Sequence, residues 1–354
     1  MEHDRITPRQ AYFLLALFLL GNFLTATGAK GKPTGWLSFV LMALLATPML
    51  RMTLSLAGRD PAEEILTQSL GRGPGTAATV LLCLIAVFLA GDALSAFAGF
   101  IVANDLNNAG AVGNTLLLAG TCFLLVGCDG GTLGRMAWLI QPWTVLLLLG
   151  SLALTAPYTK LESLLPLFTE GTAHFARATA VSFLTFFAPA VFLVFSLGGK
   201  VAGKWTGGAV GAGVLACVLL ALLTGRDVAV LGGRAAQLFR FPSYVAANTS
   251  RHGEVLLSVA FVLVQPFRAA VFLRYVRECL VSWRPQGRGW YPFVLTAAAA
   301  ALCLAGWSRL ESEWRVLEVS CASFIVLLVT FWAWLKKSCR KNREKSVQKG
   351  VSSA

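Results

Sequence analysis

This chain is poor in charge and poorest in acid: only 13% of its 354 residues are Asp, Glu, Lys or Arg, with 17 acids against 30 bases. A soluble domain carries about twice that share, so a water-covered globule is excluded. Histidine is scarcer still, and His3, His174 and His252 are scattered, with no Cys-x-x-Cys or Cys/His pairing beside them. Those gaps argue against a bound metal. No apolar segment holds paired carboxylates or a serine beside a usable base, which weighs against a membrane-embedded enzyme, and no cofactor is expected. A repeated polar stripe is missing too, so the chain does not read as a channel by itself. Cys83, Cys122, Cys217, Cys303 and Cys321 sit inside apolar runs, where cysteine behaves as a small hydrophobe.

What is present is apolar length: 56% of the residues are hydrophobic. About 20 apolar residues cross a bilayer as helix. Ten stretches qualify, near 11 to 29, 35 to 57, 76 to 104, 108 to 128, 132 to 155, 175 to 198, 207 to 225, 255 to 281, 290 to 307 and 315 to 335. The expected fold is therefore all-α, one ten-helix transmembrane domain over residues 1–335 followed by a basic tail, 336–354. The start mixes Glu2 and Asp4 with Arg5 and Arg9, unlike a cleaved leader, so the first span is expected to stay. With both termini in the cytoplasm, nineteen basic residues fall on that side and ten on the other. The tail, from Lys336-Lys337, lacks interleaved aromatics and predicts contact with anionic lipid rather than nucleic acid.

Two connections carry structure of their own. Residues 61–71 read as a short amphipathic helix opened by Asp60-Pro61 and closed by Gly71. In the long connection from Arg226 to Arg251, residues 235–241 read as an interfacial helix ending at Pro242, either a lid or a plain connector.

Two spans are interrupted near their centres, Gly21-Asn22 in the first and Phe187-Ala188-Pro189 in the sixth. A broken helix inside lipid frees N–H and C=O groups, and it survives only where protein or a ligand-lined cavity takes them up. Glycine alone often marks tight packing. Here Asn22, Thr25 and Thr27 add the polar groups an opened turn needs. Pro189 removes a donor and leaves carbonyls near Thr185 and Phe186 open, as a kink or a full break. Parted helices would offer N–H groups to a carboxylate and carbonyls to an ammonium, the polarity of an amino acid.

Ionisable groups at mid-bilayer are costly and need partners or functions. Only two sit near mid-span, Asp92, central in span three and the sole buried carboxylate candidate, and Arg268, beside Gln265 and Pro266, central in span eight. Either the two pair, or Asp92 couples protons and Arg268 anchors substrate. The candidate substrate-binding set is Gly21, Asn22, Phe23, Thr25, Asp92, Phe97, Phe186, Phe187, Ala188, Pro189, Gln265 and Arg268.

The opening Ile6-Thr7-Pro8-Arg9-Gln10, the segment Leu164-Leu165-Pro166-Leu167-Phe168 with Gly171, and the ten-span length together resemble the endospore germination permeases. These are the B-type subunits of nutrient germinant receptors, within the amino acid-polyamine-organocation superfamily. The resemblance implies a LeuT-type 5+5 inverted repeat, residues 7–156 and 172–335, with helices 1 and 6 broken around an amino acid or similar nutrient. It implies an A-type membrane subunit and a C-type lipoprotein as partners, in the inner spore membrane. Where superfamily members often have a second glycine, Phe23 follows Gly21-Asn22. The functional expectation is a nutrient-sensing, permease-like subunit; the alternative is a proton- or sodium-coupled amino acid transporter.

Overall fold

Thr7 starts the first helix as its residue type demands. In this computed structural model, which describes residues 5–22, 34–58, 60–104, 110–165, 171–239, 241–305 and 312–352, the Gln10 N–H donates to Thr7 Oγ1 and the Thr7 N–H donates to Gln10 Oε1, a reciprocal cap. Pro8 fills the first turn, where no backbone donor is missed.

From there the chain is helical: α1 (Pro8–Gly21), α2 (Gly35–Ala57), α3 (Ala62–Leu70), α4 (Arg72–Ala103), α5 (Gly110–Gly127), α6 (Gly130–Thr155), α7 (Thr172–Phe186), α8 (Ala190–Ser196), α9 (Thr206–Leu231), α10 (Gly233–Leu238), α11 (Pro242–Asn248), α12 (Gly253–Trp283), α13 (Tyr291–Leu304) and α14 (Ser312–Ser352). Seven segments are long and apolar enough to cross a membrane, α7 and α8 counting together as one. Three shorter apolar helices, Pro8–Gly21, Val112–Gly127 and Tyr291–Leu304, accompany them. The ten expected spans fall on these same segments. Large apolar side chains face outward along them, among them Leu44, Leu84, Leu117, Leu139 and Trp143. Water would penalise such a surface and hydrocarbon does not.

Helix α12 is the hub, packing on α1, α4, α5, α6 and α8, while α1 also lies against α6 and α9. Three of the packed pairs, α2 with α9, α4 with α12 and α5 with α13, set first-half helices against second-half ones.

The surface helix expected at 61–71 is α3, with Pro61 at its N-cap and Gly71 at φ +97°, a conformation glycine adopts without strain. Its underside is buried through Ile65 and Leu66. One other expectation is corrected. The helix in the 226–251 connection ends at Leu238, and Pro242 opens a second one, α11, because proline's fixed φ suits a first turn. The second helix packs inward, with Pro242, Ser243, Ala246 and Ala247 buried. The helix of the last expected span runs on beyond 335, as α14 continues through the basic tail to Ser352. Near its base Lys337 Nζ donates to the Leu56 carbonyl at 2.8 Å and lies 3.8 Å from Asp60, so this lysine is held by protein.

Candidate functional site

The two places where interruptions were expected meet. α1 ends at Gly21, with Asn22 capping it in a 3-10 turn. α7 ends at Phe186, and α8 restarts at Ala190 after Phe187-Ala188-Pro189. Pro189 has no N–H to give, and the following bonds tighten to three-residue steps, Ala190 to Phe187, Val191 to Ala188 and Phe192 to Pro189. The backbone stays helical in φ and ψ at Phe187 and Pro189, so this junction is a tight kink rather than an extended unwound stretch.

Side-chain amides take up the carbonyls at both ends. Asn22 Nδ2 donates to the Phe186 carbonyl at 2.8 Å, and Gln265 Nε2, from α12, donates to the Gly21 carbonyl at 2.8 Å. Both amides are fully buried. A buried carbonyl without a partner costs about 1–3 kcal/mol, so these two bonds are what the interruptions require. Gly21 makes the approach possible: a Cβ there would lie 3.0 Å from Arg268 Cβ and 3.1 Å from Val264 Cγ1.

Beside them lies a buried charge cluster. Arg268 Nη2 sits 3.4 Å from Asp92 Oδ2, both side chains wholly enclosed. Arg315, from the first turns of α14, holds the other oxygen, Nε to Oδ1 at 2.5 Å, and donates from Nη2 to the Asp92 backbone carbonyl at 2.8 Å. One carboxylate therefore faces two guanidiniums. Arg268 Nε and Nη1 and Gln265 Oε1 are buried without a hydrogen-bond partner among the described residues. The Arg268 guanidinium carbon lies 5.9 Å from the Phe272 ring centroid, and Phe272 packs edge-on against Phe18 and Phe192.

The expected residues Gly21, Asn22, Phe186, Asp92, Gln265 and Arg268 thus converge. Phe187 turns away, stacking on Phe183 and approaching the Gly213 position of α9, while Ala188 and Pro189 form the kink. Phe97 is buried five residues beyond Asp92 on α4. Phe23 and Thr25 lie outside the described residues.

Sequence reasoning missed Arg315, which it left at the flank of the tenth span. An arginine's length lets its head sit well away from its Cα, so position in a run does not locate the charge. The expectation that Asp92 and Arg268 are the only deep ionisable groups is corrected on the same ground. Asp92 is also not the only buried carboxylate, for Asp227 is enclosed as well, and on half-buried Glu318, one turn past Arg315, Oε2 is covered with no partner among the described residues.

A second buried pair closes one end of the bundle. Arg226 binds Asp227 Oδ1 through Nε and Nη2, Ser151 Oγ through Nη1 and the Ser243 carbonyl, while the Ser243 hydroxyl donates to Asp227 Oδ2. Together with ring contacts from Phe100 to Phe241 and Tyr244, this fixes α11 on the bundle. Burial and the neighbouring Glu254 push the Tyr244 phenol up. At the other end Ile6 is clipped to the α8–α9 connection, its N–H donating to the Lys200 carbonyl and its carbonyl accepting from Ala202. Lys200 in turn pairs with Glu278, which also holds Arg274.

No curated protein matches this chain. Among solved structures, that described as "Crystal structure of MhsT in complex with L-phenylalanine" is similar in fold, with a TM-score of 0.62 over 92% of this chain and 98% of that one, at 14% identity. The architecture is therefore LeuT-type. The family described as spore germination protein matches residues 5–243, about two thirds of the length. Belonging to that family follows from so broad a match, and the chain is accordingly a member of the spore germination proteins, a permease-like protein of the membrane.

Proposed function

We propose that this protein is the nutrient-sensing, permease-like subunit of a spore germinant receptor, binding a small amino acid or similar nutrient where α1, α7–α8 and α12 meet. The observation that carries the reading is the pair of amide bonds, Asn22 to Phe186 and Gln265 to Gly21, which commit buried polar side chains to two helix ends at one place. A sensor needs only different affinities in two conformations, and bonds between elements that part on opening supply such a difference. The fold neighbour is a complex with L-phenylalanine, which favours an amino acid as ligand here.

The architecture we assign is ten spans in two inverted repeats, 7–156 and 172–335, with helices 1 and 6 interrupted. The packed pairs α2 with α9, α4 with α12 and α5 with α13 support it, since each joins a span to the one five further on. Both termini are assigned to the cytoplasm, and an A-type membrane subunit and a C-type lipoprotein in the inner spore membrane are the assigned partners.

The test is the apparent melting point of the purified protein across a panel of amino acids, sugars and nucleosides, because a ligand that prefers the folded state raises it. A shift with one ligand class is expected. Silence across the panel overturns direct nutrient recognition.

A second reading, a proton-coupled amino acid transporter, is favoured by one observation. Asp92 is engaged by two arginines, whereas Glu318, on a membrane helix, has a covered oxygen with no partner among the described residues. Proton-driven uptake into proteoliposomes that Glu318→Gln abolishes would establish it.

A further inference from the structure

We infer that the mid-membrane site reads its ligand through a carboxylate, docked on the N–H groups of Arg268 that Asp92 leaves unused. This deepens the function proposed above and rests on it.

The inference starts from the balance of donors and acceptors. At the two helix ends both backbone carbonyls are engaged, Phe186 by the Asn22 amide and Gly21 by the Gln265 amide, which leaves Gln265 Oε1 as a single neutral acceptor without a partner among the described residues. An incoming ammonium would compete there with donors already in place. On the adjoining face the imbalance runs the other way. Arg268 has Nε and Nη1 without a partner among the described residues, and its single contact with Asp92, from Nη2, is long at 3.4 Å. Asp92 makes its shorter contacts with Arg315, which takes Oδ1 and the backbone carbonyl. Arg315 therefore neutralises Asp92, and Arg268 keeps most of its charge and its donors.

Charge points the same way. Among the described residues, two guanidiniums against one carboxylate leave a local excess of one positive charge, and with Arg268 and Asp92 wholly enclosed electrostatic interactions there are strong and unpaired charge is costly. A ligand carboxylate would supply both the missing charge and the missing acceptors, and guanidinium is the side chain best matched to it. The location fits as well. The Arg268 side chain passes within van der Waals reach of Gly21, at the end of α1 that the Gln265 amide holds, so an anion on Arg268 lies beside the interruption of the first helix.

The experiment uses the full-length chain in lipid nanodiscs. L-alanine, L-valine, L-leucine and L-phenylalanine are each titrated beside their primary amides, which keep the ammonium and side chain but carry no carboxylate, with sodium acetate and sodium chloride as simple-anion probes. At least one acid is expected to stabilise the protein, with its amide weaker by about tenfold or more, the effect of one charge-assisted hydrogen bond lost. Arg268→Gln is expected to bring acid and amide within about twofold of each other, since one lost charge partner removes the discrimination. If that variant does not fold, the acid-to-amide comparison on the unaltered protein decides alone. Acid and amide binding alike would overturn carboxylate docking while leaving amino acid recognition standing. Equal stabilisation by acetate or chloride would overturn it in favour of an anion site without nutrient specificity. A response to sugars or nucleosides only would overturn it, and no response to any of these together with silence on the wider panel would overturn the proposed function as well.

Discussion

Arg315 grips Asp92 twice, through Nε to the carboxylate at 2.5 Å and through Nη2 to the backbone carbonyl at 2.8 Å, across 223 residues of sequence. Arg268 stands on the opposite oxygen at 3.4 Å. Asp92 is thus the only anion in a triad and its loss strands two cations.

Asp92→Asn is therefore expected to be the most damaging single change in the triad, on the order of 3–5 kcal/mol, because it removes one partner from buried pairs. Arg315→Gln should cost less, since Arg268 still faces the carboxylate. The apparent melting points of the two variants, measured by intrinsic tryptophan fluorescence in one detergent, test the order; Asp92→Asn melting with or above Arg315→Gln would refute it.

Asn22→Ala and Gln265→Leu each leave a buried helix-end carbonyl without its donor. A loss of about 1–3 kcal/mol is expected for either. The change should also alter ligand response, as neither bond can persist if the helix ends part. Thermal melts with and without an amino acid ligand check both points, and an unchanged melt in both variants would show that the bonds do not hold the ends.

Gly21→Ala puts a methyl 3.0 Å from Arg268 Cβ and 3.1 Å from Val264 Cγ1. Both neighbours are fixed near the backbone of α12, so the two helices must separate, at a cost of about 1–3 kcal/mol. Lower melting with normal membrane insertion is the expected result. A variant as stable as the parent would mean that α1 and α12 yield easily.

Asp227→Asn weakens the buried pair that ties Ser151 on α6 and Ser243 on α11 to α9. Local opening of α10 and α11 should become more frequent while the bundle remains folded. Limited proteolysis of the connection after Leu231 should accelerate by about tenfold, the effect of roughly 1.4 kcal/mol on a local equilibrium. Equal cleavage rates would release α11 from dependence on this pair.

The membrane helices were legible because lipid imposes a simple demand, a long apolar run, and seven helical segments among the described residues meet it in full. The cap at Thr7 and Gln10 and the glycine stop at Gly71 were legible because they are local. The end of α1 at Gly21 and the kink at Pro189 could be placed from sequence, but what completes them could not. Phe186 is 164 residues from Asn22, and Gln265 is 244 from Gly21. Nothing in spacing reveals such a pairing without the fold. Arg315 escaped for a related reason: its position marks a span end, and only tertiary structure turns its head toward Asp92. Pro242 was read as a terminator, although proline serves equally as a first helical residue, and the burial of Ser243 by Asp227 decides between those roles.

One continuous helix, α14, carries Arg315 near one end and Lys337 twenty-two residues later. At 1.5 Å per residue those two points stand about 33 Å apart on a single rod. A tilt of about 5° at the Asp92 clamp then sweeps the Lys337 end through about 3 Å, comparable to the reach of a hydrogen bond. The Asp92 clamp and the Leu56 carbonyl, about a membrane thickness apart, are thus held by the two ends of one rod that α2, α3 and α7 pack against.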